Sequence, residues 1–286
     1  MINKILLYIK IMRPKHWVKN LFILSAPFFG GVLFTKQNIL ITLLSQVCFA
    51  LAASAMYVFN DLKDCESDLL HPGKAHRPLA SGSISNTGAV CLLTTLVVLS
   101  VLISTGLNSS FTVYMVLYLI LQAGYSLYFK HIAVVDIFLI ASGFVLRVFA
   151  GGGAYNVEIS KWLFLTMFMV SLTLASGKRL AETAYLEKDV SSKHRKALGS
   201  YPAGLLNDVL VITSASALMC YVLYTTEQQS SLVFTVPVVT FGLIRYLALS
   251  KANQGDPTDA LVKDPWLAAT VIVWMLLVAL LRYGVT

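Results

Sequence analysis

The chain has 286 residues, of which 57% are hydrophobic and only 13% are charged. An ordinary soluble domain carries about 25% charged residues, so the composition argues against a water-soluble fold. The formal net charge of +8 would by itself suit either a nucleic acid or a lipid surface. The positions of the charges along the chain favour a membrane, and no nucleic-acid partner is expected.

Apolar segments of about twenty residues recur along the chain, and each is long enough to cross a hydrocarbon core of about 30 Å as an α-helix. The pattern predicts an all-α, polytopic membrane bundle of about nine transmembrane helices, in one domain over residues 1–286. The first apolar segment is expected to be a retained helix, because no small-residue cleavage site follows it. The predicted spans are 18–34, 38–59, 86–106, 111–129, 132–153, 161–177, 207–225, 231–249 and 265–283.

Basic residues are concentrated in alternate connections between these spans. Most of the 22 Lys and Arg residues fall on one side if the N-terminus is inside, and the longer polar loops, after the second and sixth spans, lie on that side too. The positive-inside rule therefore predicts a multi-pass protein of the cell (inner) membrane with its N-terminus and active site in the cytoplasm. The cysteines show no metal-ligand spacing and are expected to be reduced. They are Cys48, Cys65, Cys91 and Cys220.

The second predicted span runs into the acidic sequence NDLKDCESD at residues 60–68. If the helix continues, Asp61, Asp64 and Asp68 share one face, since they are spaced by three and four residues. Carboxylates so placed repel each other, and a hard divalent cation such as Mg²⁺, carrying a substrate diphosphate, would neutralise them. The alternative is a solvated loop whose acids balance nearby lysines.

A basic sequence, HPGKAHRP, follows at residues 71–78. Its Lys74 and Arg77 could bind phosphate oxygens that the metal does not hold, although either could instead be a positive-inside anchor. Lys130, at the end of the fourth span, is either a diphosphate ligand or an anchor that snorkels to the membrane surface.

The motif NDxxDxxxD, formed here by Asn60, Asp61, Asp64 and Asp68, resembles the first signature of the UbiA superfamily of intramembrane prenyltransferases. That family typically has a second acidic motif, DxxxD, after the sixth helix, where it binds a second Mg²⁺. This chain has SGKRLAE at residues 176–182 instead. The change removes metal ligands and adds cationic donors for a more heavily phosphorylated substrate, so the donor is expected to differ from a prenyl diphosphate.

The GKRxxE element resembles the decaprenyl-phosphate phosphoribosyltransferase branch of the superfamily, as do the segments at 13–20, 71–74 and 136–151 (RPKHWVKN, HPGK and DIFLIASGFVLRVFAG). The resemblance implies transfer of 5-phosphoribosyl from phosphoribosyl diphosphate to a polyprenyl phosphate, with release of pyrophosphate, for a cell-envelope polysaccharide precursor. It implies Mg²⁺ bound by Asp61, Asp64 and Asp68 as catalytic residues. The implied substrate-binding residues are Asn60, Lys19, Asn20, Lys74, Arg77, Lys130, Lys178, Arg179 and Glu182.

Two other functions stay open at this point. One is a UbiA-type prenyltransferase with a prenyl diphosphate donor and an aromatic or other acceptor. The other is a transporter of an anionic solute, which a charge within a span would suit, although the acids lie on one side only. The lipid length and the oligomeric state are not fixed by the sequence, and a homo-oligomer is one alternative.

Three further features have two readings each. The basic segment at residues 13–20, with Lys19 and Asn20, either binds the acceptor phosphate or lies on the membrane surface. Arg147 lies well inside the fifth span, where a charge is costly without a cavity or a partner, and its depth favours a structural role over a substrate contact. Asp136 is expected to partner a basic residue or to orient a ligand.

Overall fold

A computed structural model describes residues 2–70, 73–188, 201–228 and 230–284. His71 and Pro72 of the basic sequence, and Lys193, Arg195 and Lys196 of the loop after the sixth span, lie outside the described residues. The described residues form eleven α-helices joined by turns and short 3-10 helices, with no β-strand among them. The all-α class predicted from the sequence is therefore confirmed.

Eight helices of the described residues are long and apolar enough to cross a membrane, so the chain is a multi-pass membrane protein. In chain order the helices are α1 (Ile2–Met12), α2 (Ser25–Phe29), α3 (Ile39–Leu69), α4 (Asn86–Thr105), α5 (Ser109–Leu127), α6 (Val135–Tyr155), α7 (Lys161–Lys188), α8 (Leu205–Gln228), α9 (Val236–Lys251), α10 (Pro257–Lys263) and α11 (Pro265–Tyr283). The eight that could cross a membrane are α3 to α9 and α11, one for each predicted span from 38–59 to 265–283.

The first predicted span, 18–34, is not a continuous α-helix, and in this respect the prediction is wrong. Pro14–Leu24 form a 3-10 helix, after which α2 adds only five residues. The segment nevertheless runs the length of the bundle, because Arg13 pairs with Asp61 near the end of α3, whereas Tyr283 at the end of α11 donates a hydrogen bond to the Phe28 carbonyl at 2.9 Å. We call residues 14–34 the N-terminal crossing segment.

Three-residue periodicity determines how the N-terminal crossing segment packs. In a 3-10 helix, side chains three apart lie one above another, and Trp17, Asn20, Ile23 and Ala26 form such a row, which continues into α2. Asn20, Ile23 and Ala26 are buried, and Trp17 Nε1 donates to Ser54 Oγ of α3 at 3.0 Å. The residues between them line a cavity on the other side of the segment.

The N-terminal crossing segment approaches α6 so closely that a side chain is excluded at Gly151. A Cβ built there would lie 1.8 Å from the Ile23 carbonyl oxygen. Ile23 belongs to a buried core cluster with Phe49 of α3 and Phe111 of α5. The core therefore lies where α3, α5 and α6 meet the N-terminal crossing segment.

Helix α3 continues past the predicted end of its span to Leu69. The continuation places Asp61, Asp64 and Asp68 on one helix at spacings of three and four, which confirms the helical condition on which their shared face depended. We call the end of the bundle that carries these three carboxylates the acidic end.

Replacing Gly151 with alanine is expected to destabilise the protein by about 2 kcal/mol or more, because the new Cβ would overlap a backbone carbonyl. This loss should appear although alanine is the better helix former. Gly106→Ala is the matched control, since a Cβ at Gly106 meets its nearest atom at 3.4 Å. Thermal unfolding in one detergent measures both, and equal melting temperatures would contradict the close approach.

Candidate active site

The C-terminal turns of α3 form the centre of the site. Asp61 and Asp68 are each only 3% exposed, whereas Asp64 is half-buried. Asn60 Nδ2 donates to Asp64 Oδ2 at 3.1 Å, so the first residue of the motif supports one of its carboxylates. Burial of two carboxylates so close together requires cations nearby.

Those cations come from separate parts of the chain. Arg77 Nη1 donates to Asp61 Oδ1 at 3.1 Å and to Asp68 Oδ2 at 2.5 Å, and Lys74 Nζ lies 3.7 Å from Asp68 Oδ1. Lys130 pairs with Asp64. The structure thus brings the predicted residues Lys74, Arg77 and Lys130 to the acidic motif, where they contact carboxylates.

Arg13 completes this cluster, and the sequence reasoning did not assign it to the site. Its guanidinium pairs with Asp61 and lies over the Tyr57 ring, 5.0 Å from the ring centroid. The backbone of Arg13 is left-handed, with φ 53°, at the junction between α1 and the 3-10 helix. The available signal was its position in the basic segment at residues 13–20, which is rich in cations but gives no indication of the partner.

The oxygen donors fit Mg²⁺ at two of the three predicted ligands. One nitrogen of Arg77 contacts both Asp61 and Asp68, so these two carboxylates face a common point, which the Arg77 guanidinium occupies. Asp64 pairs elsewhere, and within the described ranges no three His, Cys, Asp or Glu side chains are grouped around one metal position. Mg²⁺ is usually bound by one or two carboxylates together with substrate phosphates. Asp61 and Asp68 therefore suit a metal ion that arrives with a diphosphate.

A second charged cluster surrounds Arg179 near the end of α7. Arg179 is 3% exposed, and it donates to Asp136 at 2.5 Å, to Tyr125 at 2.6 Å and to Glu182. Tyr201 donates to the second oxygen of Asp136. Each nitrogen of the guanidinium thus has a partner within the protein, so Arg179 and Glu182 form a structural ion-pair network here, and Asp136 partners a basic residue as expected.

Tyr201 is a dependable donor in this network. Burial, together with the hydrogen bond to Asp136, raises the pKa of the Tyr201 hydroxyl above its ordinary value, so it stays protonated at neutral pH. Tyr125 and Tyr201 were both missed from the sequence, because a tyrosine near a loop carries no signal until the fold brings it to a carboxylate.

Lys178 differs from its neighbour Arg179. In the described part of the chain, Lys178 makes no hydrogen bond or ion pair, and Lys19 makes none either. Asp256 lies near both: burial alone would raise the pKa of its carboxyl, but the Lys178 and Lys19 cations lower it below the ordinary value. Asp256 was not predicted, and it forms with Lys19 and Lys178 a polar group that we call the two-lysine cluster.

Close backbone contact keeps the two-lysine cluster together. A Cβ on Gly255 would lie 2.2 Å from the carbonyl oxygen of Gly177, so α7 and the loop before α10 touch at the residues preceding Lys178 and Asp256. Asp256 also caps α10, where its Oδ1 accepts hydrogen bonds from the backbone N–H groups of Thr258 and Asp259 at 3.0 and 3.2 Å. Its carboxylate is therefore fixed in place.

An apolar cavity of about 570 Å³ begins beside the two-lysine cluster. It lies between the N-terminal crossing segment and α7, α9 and α11, and Lys19 is the charged residue among the described residues that line it. Leu21, Phe34 and Leu276 line the cavity and are also 52%, 64% and 65% exposed. The cavity therefore opens sideways on the outer surface of the bundle, where a membrane protein meets lipid.

The arrangement can be compared with known proteins. Residues 24–263 match the model of the UbiA prenyltransferase family. The chain belongs to this family. One relative of this chain is the decaprenyl-phosphate phosphoribosyltransferase of Mycolicibacterium smegmatis, which is 33% identical over 93% of this chain and 89% of that protein. The protein of the same name from Mycobacterium tuberculosis is 34% identical over 93% of this chain and 91% of its own length.

Solved structures of UbiA proteins share the fold. A UbiA homolog from Archaeoglobus fulgidus bound to DMAPP and Mg²⁺ superposes with a TM-score of 0.75, at 18% identity, over 98% of this chain and 99% of that chain. A structure of digeranylgeranylglyceryl phosphate synthase gives a TM-score of 0.70, at 17% identity, over 99% and 100%. The resemblance to the UbiA superfamily noted in the sequence is confirmed, and this UbiA protein is a transferase.

Substitution of the adjacent cations Arg179 and Lys178 should distinguish a residue that stabilises the fold of this UbiA protein from one that does not. Arg179→Met leaves the buried Asp136 without its cation, which is expected to cost about 3–5 kcal/mol. Adding Asp136→Asn to Arg179→Met should recover part of this loss, because the buried position 136 then carries no charge. Lys178→Met, the matched control, should unfold near the wild-type temperature. Equal destabilisation by Lys178→Met and Arg179→Met in thermal unfolding would contradict the assignment.

Proposed function

We propose that this chain is a Mg²⁺-dependent polyprenyl-phosphate phosphoribosyltransferase, which transfers 5-phosphoribosyl from phosphoribosyl diphosphate to a polyprenyl phosphate and releases pyrophosphate. The observation that carries the proposal is the combination of two differently charged clusters. One retains the acidic motif of the family. The other combines Lys19 of the N-terminal crossing segment with Lys178, which lies in the element that replaces the second acidic motif of typical members, and neither lysine makes a hydrogen bond or ion pair among the described residues. A substrate set with one diphosphate and two further phosphates suits this pair of clusters.

The acidic cluster would bind the diphosphate of the donor. Asp61 and Asp68 are the residues that would hold Mg²⁺, which when bound spreads the negative charge of the leaving pyrophosphate. Arg77 and Lys130 lie beside these carboxylates and would contact phosphate oxygens that the metal leaves free. Asp64, with Asn60, would keep Lys130 in position.

The reaction needs no protein nucleophile. The bond from the ribose C1 to the pyrophosphate oxygen breaks, and a bond forms from C1 to an oxygen of the lipid phosphate. That phosphate is already an anion at neutral pH, so no residue has to remove a proton. A single displacement inverts the configuration at C1. The chain contributes alignment of the two substrates and cations around their phosphates.

The two-lysine cluster would bind the acceptor. Lys19 lies at the end of the apolar cavity, so a polyprenyl tail in the cavity would bring its phosphate to Lys19 and Lys178. Asp256 would accept a hydrogen bond from a ribose hydroxyl or keep the two lysines apart. The positive-inside pattern supports an acidic end that faces the cytoplasm at the inner membrane. The product would be a precursor of cell-envelope polysaccharide, as the resemblance to the decaprenyl-phosphate phosphoribosyltransferases implies.

The test is transfer by purified protein in detergent. Labelled phosphoribosyl diphosphate with a polyprenyl phosphate and Mg²⁺ is expected to give a labelled lipid, and a chelator should remove the activity. A parallel reaction contains labelled prenyl diphosphate and an aromatic acceptor. Absence of labelled lipid in the first reaction, with consumption of the prenyl diphosphate in the second, would overturn the proposal.

Substitutions of the three aspartates should have unequal effects. Asp61→Asn and Asp68→Asn are expected to lower kcat/KM by about 100-fold or more, since each removes a carboxylate that faces the metal position. Asp64→Asn should cost less, because Asp64 pairs with Lys130. The matched control is Asp208→Asn, an exposed acid of α8, which should retain full activity. Equal activities of all four variants would be incompatible with a site at the end of α3.

Prenyl transfer remains the second candidate, and the specific observation in its favour is the family itself, with structural neighbours bound to prenyl diphosphates. The replacement of the second acidic motif by Lys178 and Arg179 argues against it. Transport of an anionic solute has less support than prenyl transfer, since the carboxylates lie together at one end of the bundle.

A further inference from the structure

Arg147 is a charged residue inside α6 that the proposed reaction leaves without a role. It is 4% exposed, and each guanidinium nitrogen donates a hydrogen bond. The acceptors are Asn20 Oδ1 at 3.1 Å, the Gly143 carbonyl at 2.8 Å and the Tyr118 hydroxyl at 3.0 Å. The guanidinium also lies over the Tyr118 ring, 4.5 Å from its centroid.

All of these partners are neutral. Arg179, with similar burial, is paired with Asp136 and Glu182, whereas no carboxylate within the described ranges pairs with Arg147. A charge inside a membrane bundle is costly, and it is characteristic of residues that face a substrate or ion pathway. A neutral amide could make similar contacts at lower cost, so the positive charge itself requires an explanation.

The contact with Arg147 fixes the orientation of Asn20. A guanidinium can only donate, so the Asn20 Oδ1 must face Arg147 and its Nδ2 must face another direction. That Nδ2 is buried and has no hydrogen-bond partner. The backbone carbonyl of Asn20 accepts a hydrogen bond from Gln46 Nε2 of α3 at 3.1 Å. Both the side chain and the backbone of Asn20 are therefore tied to the bundle.

Fixing Asn20 also fixes Lys19. The two residues are neighbours in the 3-10 helix, where the row that contains Asn20 packs on the bundle and the adjacent row lines the cavity. Lys19 lies in that adjacent row, close enough to Arg147 for the two cations to interact. The orientation of Lys19 at the cavity thus depends on the contact between Arg147 and Asn20.

We infer that Arg147 is a positioning residue for the acceptor phosphate. It holds Lys19 at the end of the cavity through Asn20, and its unbalanced charge attracts the anionic headgroup of the lipid. This inference rests on the proposed function, in which the acceptor is a polyprenyl phosphate. It assigns Arg147 to the binding of the lipid and leaves the binding of the phosphoribosyl donor to the acidic cluster.

Kinetics of Arg147→Met test the assignment. The KM for the polyprenyl phosphate is expected to rise about tenfold or more, while the KM for phosphoribosyl diphosphate and kcat stay within a few-fold of wild type. Arg147→Lys should recover part of the lost affinity, because lysine keeps the positive charge but lacks the planar guanidinium with its several donors. Arg245→Met is the control: Arg245 pairs with Asp264, and neither residue lines the cavity. Parallel rises in both KM values would overturn the inference.

A double-mutant cycle tests the route through Lys19. Arg147→Met combined with Lys19→Met should raise the KM for the lipid by less than the product of the two single effects, because the residues act on one phosphate. If the two substitutions instead raise the KM for the lipid by the product of their single effects, Arg147 does not act through Lys19. Asn20→Ala provides the same test without removing a charge, and it should resemble Arg147→Met in its KM values even if the latter folds poorly.

Direct binding separates this inference from the proposed function. A polyprenyl phosphate alone should raise the melting temperature of the wild type, and this shift should be much smaller for Arg147→Met and Asn20→Ala. A purely structural Arg147 would lower the melting temperature without ligand and leave the shift unchanged, which would overturn the inference. Failure of the proposed function would appear differently, as wild-type protein that forms no phosphoribosylated lipid, and the binding shift would still decide the role of Arg147.

Discussion

The compensation of buried carboxylates by cations from distant segments organises the acidic end. Asp61 and Asp68 are almost wholly buried, which is tolerable for a carboxylate only beside positive charge. Arg13 comes from the N-terminal segment, Arg77 from the loop after α3, and Lys130 from the connection between α5 and α6. The same attraction therefore fixes three segments around one helix end and surrounds the proposed diphosphate position with cations.

Much of the fold could be predicted from the sequence, because hydropathy over twenty residues reports length and burial directly. The continuation of α3 through Asp68 was only a condition at the level of sequence, since the spacing of the acids puts them on one face if the helix continues but a solvated loop was the alternative. The N-terminal crossing segment was not predictable in the same way. A segment of the same apolar composition can form an α-helix or a 3-10 helix. The choice between them depends on long-range contacts, such as that between Ile23 and Gly151, and a local sequence pattern does not report such contacts.

The site shows where local information ends. Lys178 and Arg179 are adjacent and both cationic, so one role was predicted for both, yet successive side chains of an α-helix point about 100° apart. Arg179 forms a network with Asp136 and Glu182, whereas Lys178 makes no hydrogen bond or ion pair among the described residues. Arg13, Asp256 and Tyr201 could not be assigned, because their partners lie far away in the chain and are brought near only by the packing of the helices.

The three-residue periodicity of the N-terminal crossing segment has a consequence for the evolution of the cavity that this segment lines. One row, containing Asn20 and Ile23, is buried and anchors the segment, and the residues of the two remaining rows line the cavity. Substitutions in those rows can widen, narrow or shorten the cavity while the buried row keeps its contacts. Divergent members of such a family can thereby acquire tolerance for different hydrocarbon chains while the anchoring row stays unchanged.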